Sequence, residues 1–174
     1  VETTVTVQRR LIAEGWSVAG VLLFFDPSTY WVLGLTEDAK GDRYLDFLEK
    51  YHGVWQAQNE GGTRLERTAN ENLHLKWSHN TEYRLRLTVD GEGIGAEVRA
   101  GTGGELLARA HYQFGKAEAL RMGSVALLAR GCAATFDDVA VTAPEAQQTS
   151  SSVRVESGRE GSIAVLRDAT LPES

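Results

Sequence analysis

Apolar and polar residues alternate with a period of two through most of this chain, and that rhythm belongs to strands rather than helices. "TTVTVQRRL" places Val5 and Val7 on one face, and "EYRLRLTVD" does the same with Leu85 and Leu87. Turn signals interrupt the alternation about every 8–12 residues. In "DPST", Pro27 presets the turn and Asp26 can accept from the backbone ahead of it. "HG" reads as a two-residue hairpin loop with Gly53 at positive φ, and "DGEG" and "GTGGE" supply further glycine-rich turns. "GTGGE" lacks a following Lys-Ser/Thr, so it is no phosphate cradle. The pattern predicts roughly eleven or twelve short strands in an all-β, two-sheet antiparallel sandwich. One short helical turn is expected at "KAEALRM", residues 116–122.

A chain of 174 residues is long enough for one such sandwich and a tail. The sandwich is expected over residues 1–142. The Ser- and Gln-rich stretch 143–152 reads as a linker. Residues 153–174 either add strands to the same sandwich or begin a neighbouring domain. Val1 already lies in a strand-like run, so the sequence reads as a piece of a longer protein, from which export cannot be judged. The net charge of −6, without a Lys/Arg cluster, argues against a nucleic-acid partner. The longest apolar run, residues 18–25, has the length of a strand and not of a membrane helix. Cys132, the one cysteine, sits between apolar neighbours and reads as a buried small hydrophobe.

The aromatic residues carry the strongest hint of function. Trp16, Trp31, Trp55 and Trp77 are accompanied by Tyr30, Tyr44, Tyr51 and Tyr83. Sugars stack their C–H faces on indole rings and pair their hydroxyls with short polar side chains. "YHGVWQAQNE" offers Trp55 beside Gln56, Gln58 and Asn59, while "HLKWSHN" offers Trp77 beside His74 and His79. Within "TYWVLGL", alternation places Tyr30 and Trp31 on opposite faces, one buried and one open.

"AGVLLFFDPSTYWVLGL", "YRLRLTVDGEGIGAEVRA" and "GSVALLARGCAATFDDVAV", in this order, resemble the concanavalin A-like lectin/glucanase superfamily and its laminin G-like jelly rolls. The resemblance covers about residues 1–142 and implies a jelly-roll fold. It leaves activity open among lectins, carbohydrate-binding modules, hydrolases, lyases and silent spacers. Laminarinase-type members carry Glu-x-Asp-x-x-Glu on one bulged strand. Laid on "RYLDFLEKY", that motif would make Asp46 the assisting acid and Glu49 the acid/base, with Tyr44 where the nucleophile belongs. The group's structural calcium would fall near Asp137 and Asp138, with Glu2 or Asp26.

The resulting expectation is a carbohydrate-binding or accessory domain of a larger, bacterial, polysaccharide-acting protein. Its partners would be an oligo- or polysaccharide and the other domains of its parent chain, with no membrane. Trp31, Trp55 and Trp77 would be stacking platforms. Tyr44, Asp46, Glu49, Gln56, Gln58 and His79 would line the sugar site, and a calcium ion would be structural if present. The alternatives are a glycoside hydrolase or lyase of the same fold, working through Glu49 and Asp46, and a ligand-free spacer. Secretion or a periplasmic location would fit such a parent protein.

Overall fold

The computed structural model describes residues 1–56, 65–101, 104–142, 149–156 and 162–165. These form thirteen strands and, among the described residues, no helix. In chain order they are β1 (Glu2–Arg10), β2 (Ser17–Asp26), β3 (Thr29–Glu37), β4 (Arg43–Tyr51), β5 (Val54–Gln56), β6 (Glu66–Glu71), β7 (Glu82–Val89), β8 (Gly93–Ala100), β9 (Leu106–Gln113), β10 (Ser124–Arg130), β11 (Cys132–Val141), β12 (Thr149–Glu156) and β13 (Ser162–Val165). A seven-stranded sheet runs β12-β11-β1-β7-β8-β9-β6, and a six-stranded sheet runs β13-β10-β2-β3-β4-β5. All pairings are antiparallel. The fold is therefore the two-sheet β-sandwich that the alternation dictates.

Each sheet turns one set of alternate residues inward. The seven-stranded sheet contributes Val5, Val7, Leu85, Leu87, Ile94, Val98, Tyr112 and Phe136, and the six-stranded sheet Val21, Leu23, Trp31, Leu33, Leu35, Leu45 and Phe47. Three rings join the sheets at the centre. Trp31 of β3, Phe47 of β4 and Tyr112 of β9 lie 5.3–5.7 Å apart, centroid to centroid. That separation suits tilted aromatic pairs, which add to the burial of apolar area.

The turns follow their residue chemistry. His52 and Gly53 both take positive φ, 50° and 83°, as a two-residue hairpin between β4 and β5 requires. The Asp26 carboxylate accepts from the Ser28 N–H and hydroxyl, which closes the turn between β2 and β3. Gly20 and Gly34 face each other across β2 and β3. A Cβ on Gly20 would strike the Leu33 carbonyl, so the strands meet there only because a side chain is missing.

Two expectations need correction. The stretch 116–122 is not helical, because both backbone groups of Leu120 are captured by side chains from the six-stranded sheet. Trp31 Nε1–H donates to the Leu120 carbonyl at 3.1 Å, and Glu49 Oε1 accepts from the Leu120 N–H at 2.6 Å. A backbone held in this way has no groups left for a helical turn. Second, β12 begins at Thr149, inside the stretch read as a linker. It pairs with β11, while β13 pairs with β10, so these strands form one edge of each sheet.

Candidate functional site

The chemistry expected on β4 depends on which face each residue takes. The pairing of β3 with β4 runs without a slip from Tyr30↔Lys50 to Glu37↔Arg43. Strict alternation then turns Leu45, Phe47 and Glu49 inward and Tyr44, Asp46, Leu48 and Lys50 outward. The bulge that would bring Asp46 and Glu49 to one face is absent. The two carboxylates lie on opposite sides of the sheet, and the acid/base pair suggested by the laminarinase-like spacing is not assembled. Glu49 is fully buried and binds Leu120. Gln56, its neighbour across β5, is buried on the same inward face. Neither reads hydroxyls at a surface, which corrects the expectation for both.

On the outer face, Thr36 Oγ1 donates to Asp46 Oδ2 at 2.7 Å. Burial lifts the Asp46 carboxyl above its ordinary 3.8, and the Thr36 hydrogen bond offsets only part of that rise. Between 3.8 and the raised value, the folded chain holds this proton more tightly than the unfolded chain. Stability from this group is therefore lost as pH rises through that window, and the charged form carries a cost above it. Asp46→Asn, which keeps an acceptor for Thr36, is expected to raise the melting temperature at neutral pH. Thermal denaturation should show the gain shrinking as the pH falls through the raised value toward 3.8 and flat below it, and a pH-independent difference would contradict this account. Tyr44, next on the same face, packs edge-on against Trp16 at 6.1 Å. Burial first, then the charges of Asp46, Asp38 and Asp42, push its hydroxyl up to about 12. A phenol so reluctant to ionise is a poor nucleophile.

Of the three expected platforms, two belong to the interior. Trp31 is the hub of the central ring cluster. Trp77 is buried, and its Nε1–H is shared between the carbonyls of Thr36 at 3.0 Å and Tyr44 at 3.2 Å. Both residues are core because each indole finds an apolar slot and a carbonyl partner together. His79 lies edge-on to Trp77 at 5.2 Å and bonds Glu37 Oε2 at 3.0 Å through Nε2. It helps to fix this loop against β3.

Trp55 is different. It is 44% exposed on the outer face of the six-stranded sheet. Strand register places it at the end of a row running Phe24, Tyr30, Lys50, Trp55 across four strands. Tyr30, half-buried, meets Trp55 edge-on at 5.8 Å and stacks on Phe24 at 6.5 Å. Lys50 Nζ stands 5.8 Å from the Trp55 centroid and 5.9 Å from that of Tyr30. The row therefore combines an open indole, a phenol edge and a cation. Tyr30 does oppose Trp31, as alternation requires. Lys50 was not legible as a site residue because its place beside Trp55 depends on the register set by both hairpin turns. Gln58 lies outside the described residues.

Asp137 and Asp138 form a β-bulge in β11, opposite the irregularity between Glu2 and Thr4 of β1. Asp138 takes φ 52°, a conformation that Asp tolerates, and the Asp137 carbonyl accepts from Thr3 Oγ1 at 2.9 Å. The other proposed calcium ligands are engaged elsewhere, Asp26 by Ser28 and Glu2 by Arg84. Among the described residues no group of three or more His, Cys, Asp or Glu comes together that could hold a metal ion. Burial pushes the Cys132 thiol up to about 11, which suits its place in the core.

No protein-family model and no curated protein matches the chain. Among solved structures, a Scytalido-glutamic peptidase with a peptide-based transition-state analogue is similar at 14% identity. The match covers 85% of this chain and 79% of that one, with a TM-score of 0.39, too loose a likeness to bear on function.

Proposed function

We propose that this chain is a non-catalytic carbohydrate-binding module of a larger polysaccharide-acting protein, of the concanavalin A-like kind, and that it holds sugar on Trp55. The observation that carries the reading is the exposure of Trp55 beside Tyr30 and Lys50. A buried indole would serve packing alone. An open one next to a second ring offers a stacking surface, and the Lys50 ammonium offers a donor for ring hydroxyls. The separation of Asp46 from Glu49 weighs against the hydrolase alternative, since a retaining glycosidase needs its carboxyls about 5–5.5 Å apart in one cleft.

A glycan-array screen with and without calcium tests the reading directly, and the calcium arm covers the expected structural ion. Trp55→Ala is expected to weaken binding of the captured glycan by about 1–3 kcal/mol while leaving the denaturation midpoint nearly unchanged. A wild-type chain that captures no glycan in either arm would favour the spacer reading. Release of reducing ends from a polysaccharide would favour the enzyme.

A further inference from the structure

The outer face of the seven-stranded sheet carries a line of charged side chains. One register row crosses five strands as Glu2, Arg86, Glu97, Arg109, Glu71. Arg84 and Arg86 share the Glu2 carboxylate, the latter at 3.9 Å. Arg99 and Arg109 share that of Glu97, at 3.4 Å and 3.7 Å. Glu71 makes no ion pair with Arg109 among the described residues. Four guanidiniums thus divide two carboxylates, and Arg86 and Arg109 remain 55% and 51% exposed.

The neighbouring row reads Thr88, Gly95, His111, Ala69. Gly95 has no side chain, and a hollow of about 210 Å³ opens there, lined by Thr68, Thr88, Glu97, Arg109 and His111 among others. A Cβ on Gly95 would lie 2.9 Å from Thr88 Oγ1 and 3.4 Å from His111 Cδ2, so the glycine keeps the hollow open. A bulge in β6 between Arg67 and Ala69 brings Thr68 to this face, and its hydroxyl bonds His111 Nδ1 at 2.6 Å. That contact fixes the imidazole beside the opening.

We infer that this hollow binds a carboxylate group, of an acidic sugar or of a small organic acid, between Arg109 and the Thr88 hydroxyl with His111 alongside. The Arg109 guanidinium is planar and matches a carboxylate in two parallel hydrogen bonds. The Glu97 charge does not repel the ligand strongly, because two arginines already share it. No Phe, Tyr or Trp lines the hollow, so charge and hydrogen bonding are what it can read. The site is on the opposite sheet from Trp55 and does not depend on the sugar-stacking reading.

The test is an amide chemical-shift titration at constant ionic strength with sodium glucuronate, sodium acetate and glucose in turn. Glucuronate is expected to give saturable shifts at Gly95 and His111, and Arg109→Gln to weaken that binding at least tenfold. Gly95→Ala should block it by filling the hollow, which decides the matter if Arg109→Gln loses the native spectrum. Acetate binding as tightly as glucuronate identifies a small acid as the ligand, and markedly tighter glucuronate identifies an acidic sugar. Glucose shifting the same amides equally, the absence of saturable shifts with either acid, or unchanged binding by both variants would overturn the proposal.

Discussion

Trp31→Ala is expected to destabilise the sandwich by about 3–5 kcal/mol, the cost of emptying a large aromatic site in a packed interior. Two losses combine there. The indole leaves a void between Phe47 and Tyr112, its partners at 5.3 Å and 5.7 Å. Its N–H also no longer satisfies the Leu120 carbonyl. Urea denaturation followed by fluorescence measures the effect. A loss below about 1 kcal/mol, of the size seen for typical surface changes, would mean that Trp31 is not the hub described here. Set beside Trp55→Ala, which should leave stability nearly intact, this change separates core indoles from open ones in a single pair of variants.

Glu49→Leu is expected to cost about 1–3 kcal/mol, the range for leaving a buried donor, here the Leu120 N–H, without its acceptor. The leucine can fill part of the space but cannot accept from the Leu120 N–H. Glu49→Gln retains an acceptor oxygen and should cost less. The change should also loosen the connection from β9 to β10, where Ala117 and Ala119 pack against the core around Leu120. Hydrogen exchange reads this as faster exchange of the Leu120 amide, with the centre of β8 unaffected. Equal protection of that amide in wild type and Glu49→Leu would show that the buried carboxylate is not what pins the segment.

The sandwich was readable from sequence because alternation and turn chemistry are local. Val5 and Val7, or Leu85 and Leu87, announce their strand without knowledge of the partner. The "HG" and "DPST" turns need only their own residues. Which side of a strand meets the core is a different matter where both sides are apolar. In "VAGVLLFF", Val21 and Leu23 enter the main core, while Leu22 joins a second, smaller apolar cluster with Val32 and Ala126 on the outer face. The site on β4 was misread for a sharper reason. Simple alternation groups Glu49 with Leu45 and Phe47, and pairing it with Asp46 required a bulge that local residues do not demand. Trp77 and "KAEALRM" failed through long-range partners. Carbonyls of Thr36 and Tyr44 claim the indole, and side chains from β3 and β4 claim Leu120. Such contacts, far apart along the chain, leave no local trace.

The position of β1 sets the order in which the molecule can be put together. It lies inside the seven-stranded sheet, between β7 and β11. As the chain is synthesised, this strand waits with both edges open until β7 appears, and with one edge open until β11 appears. Bringing such distant segments together means closing long loops, which slows folding to the millisecond-to-second range of β-sandwiches. Throughout that interval the edge offers unpaired N–H and C=O groups to any extended segment nearby. Thr4, Thr6 and Gln8 give it an outward face of hydroxyls and an amide, which is less adhesive than an apolar one. Truncating the chain before Cys132 would leave that edge open permanently, and strand exchange between copies is the outcome such an intermediate invites.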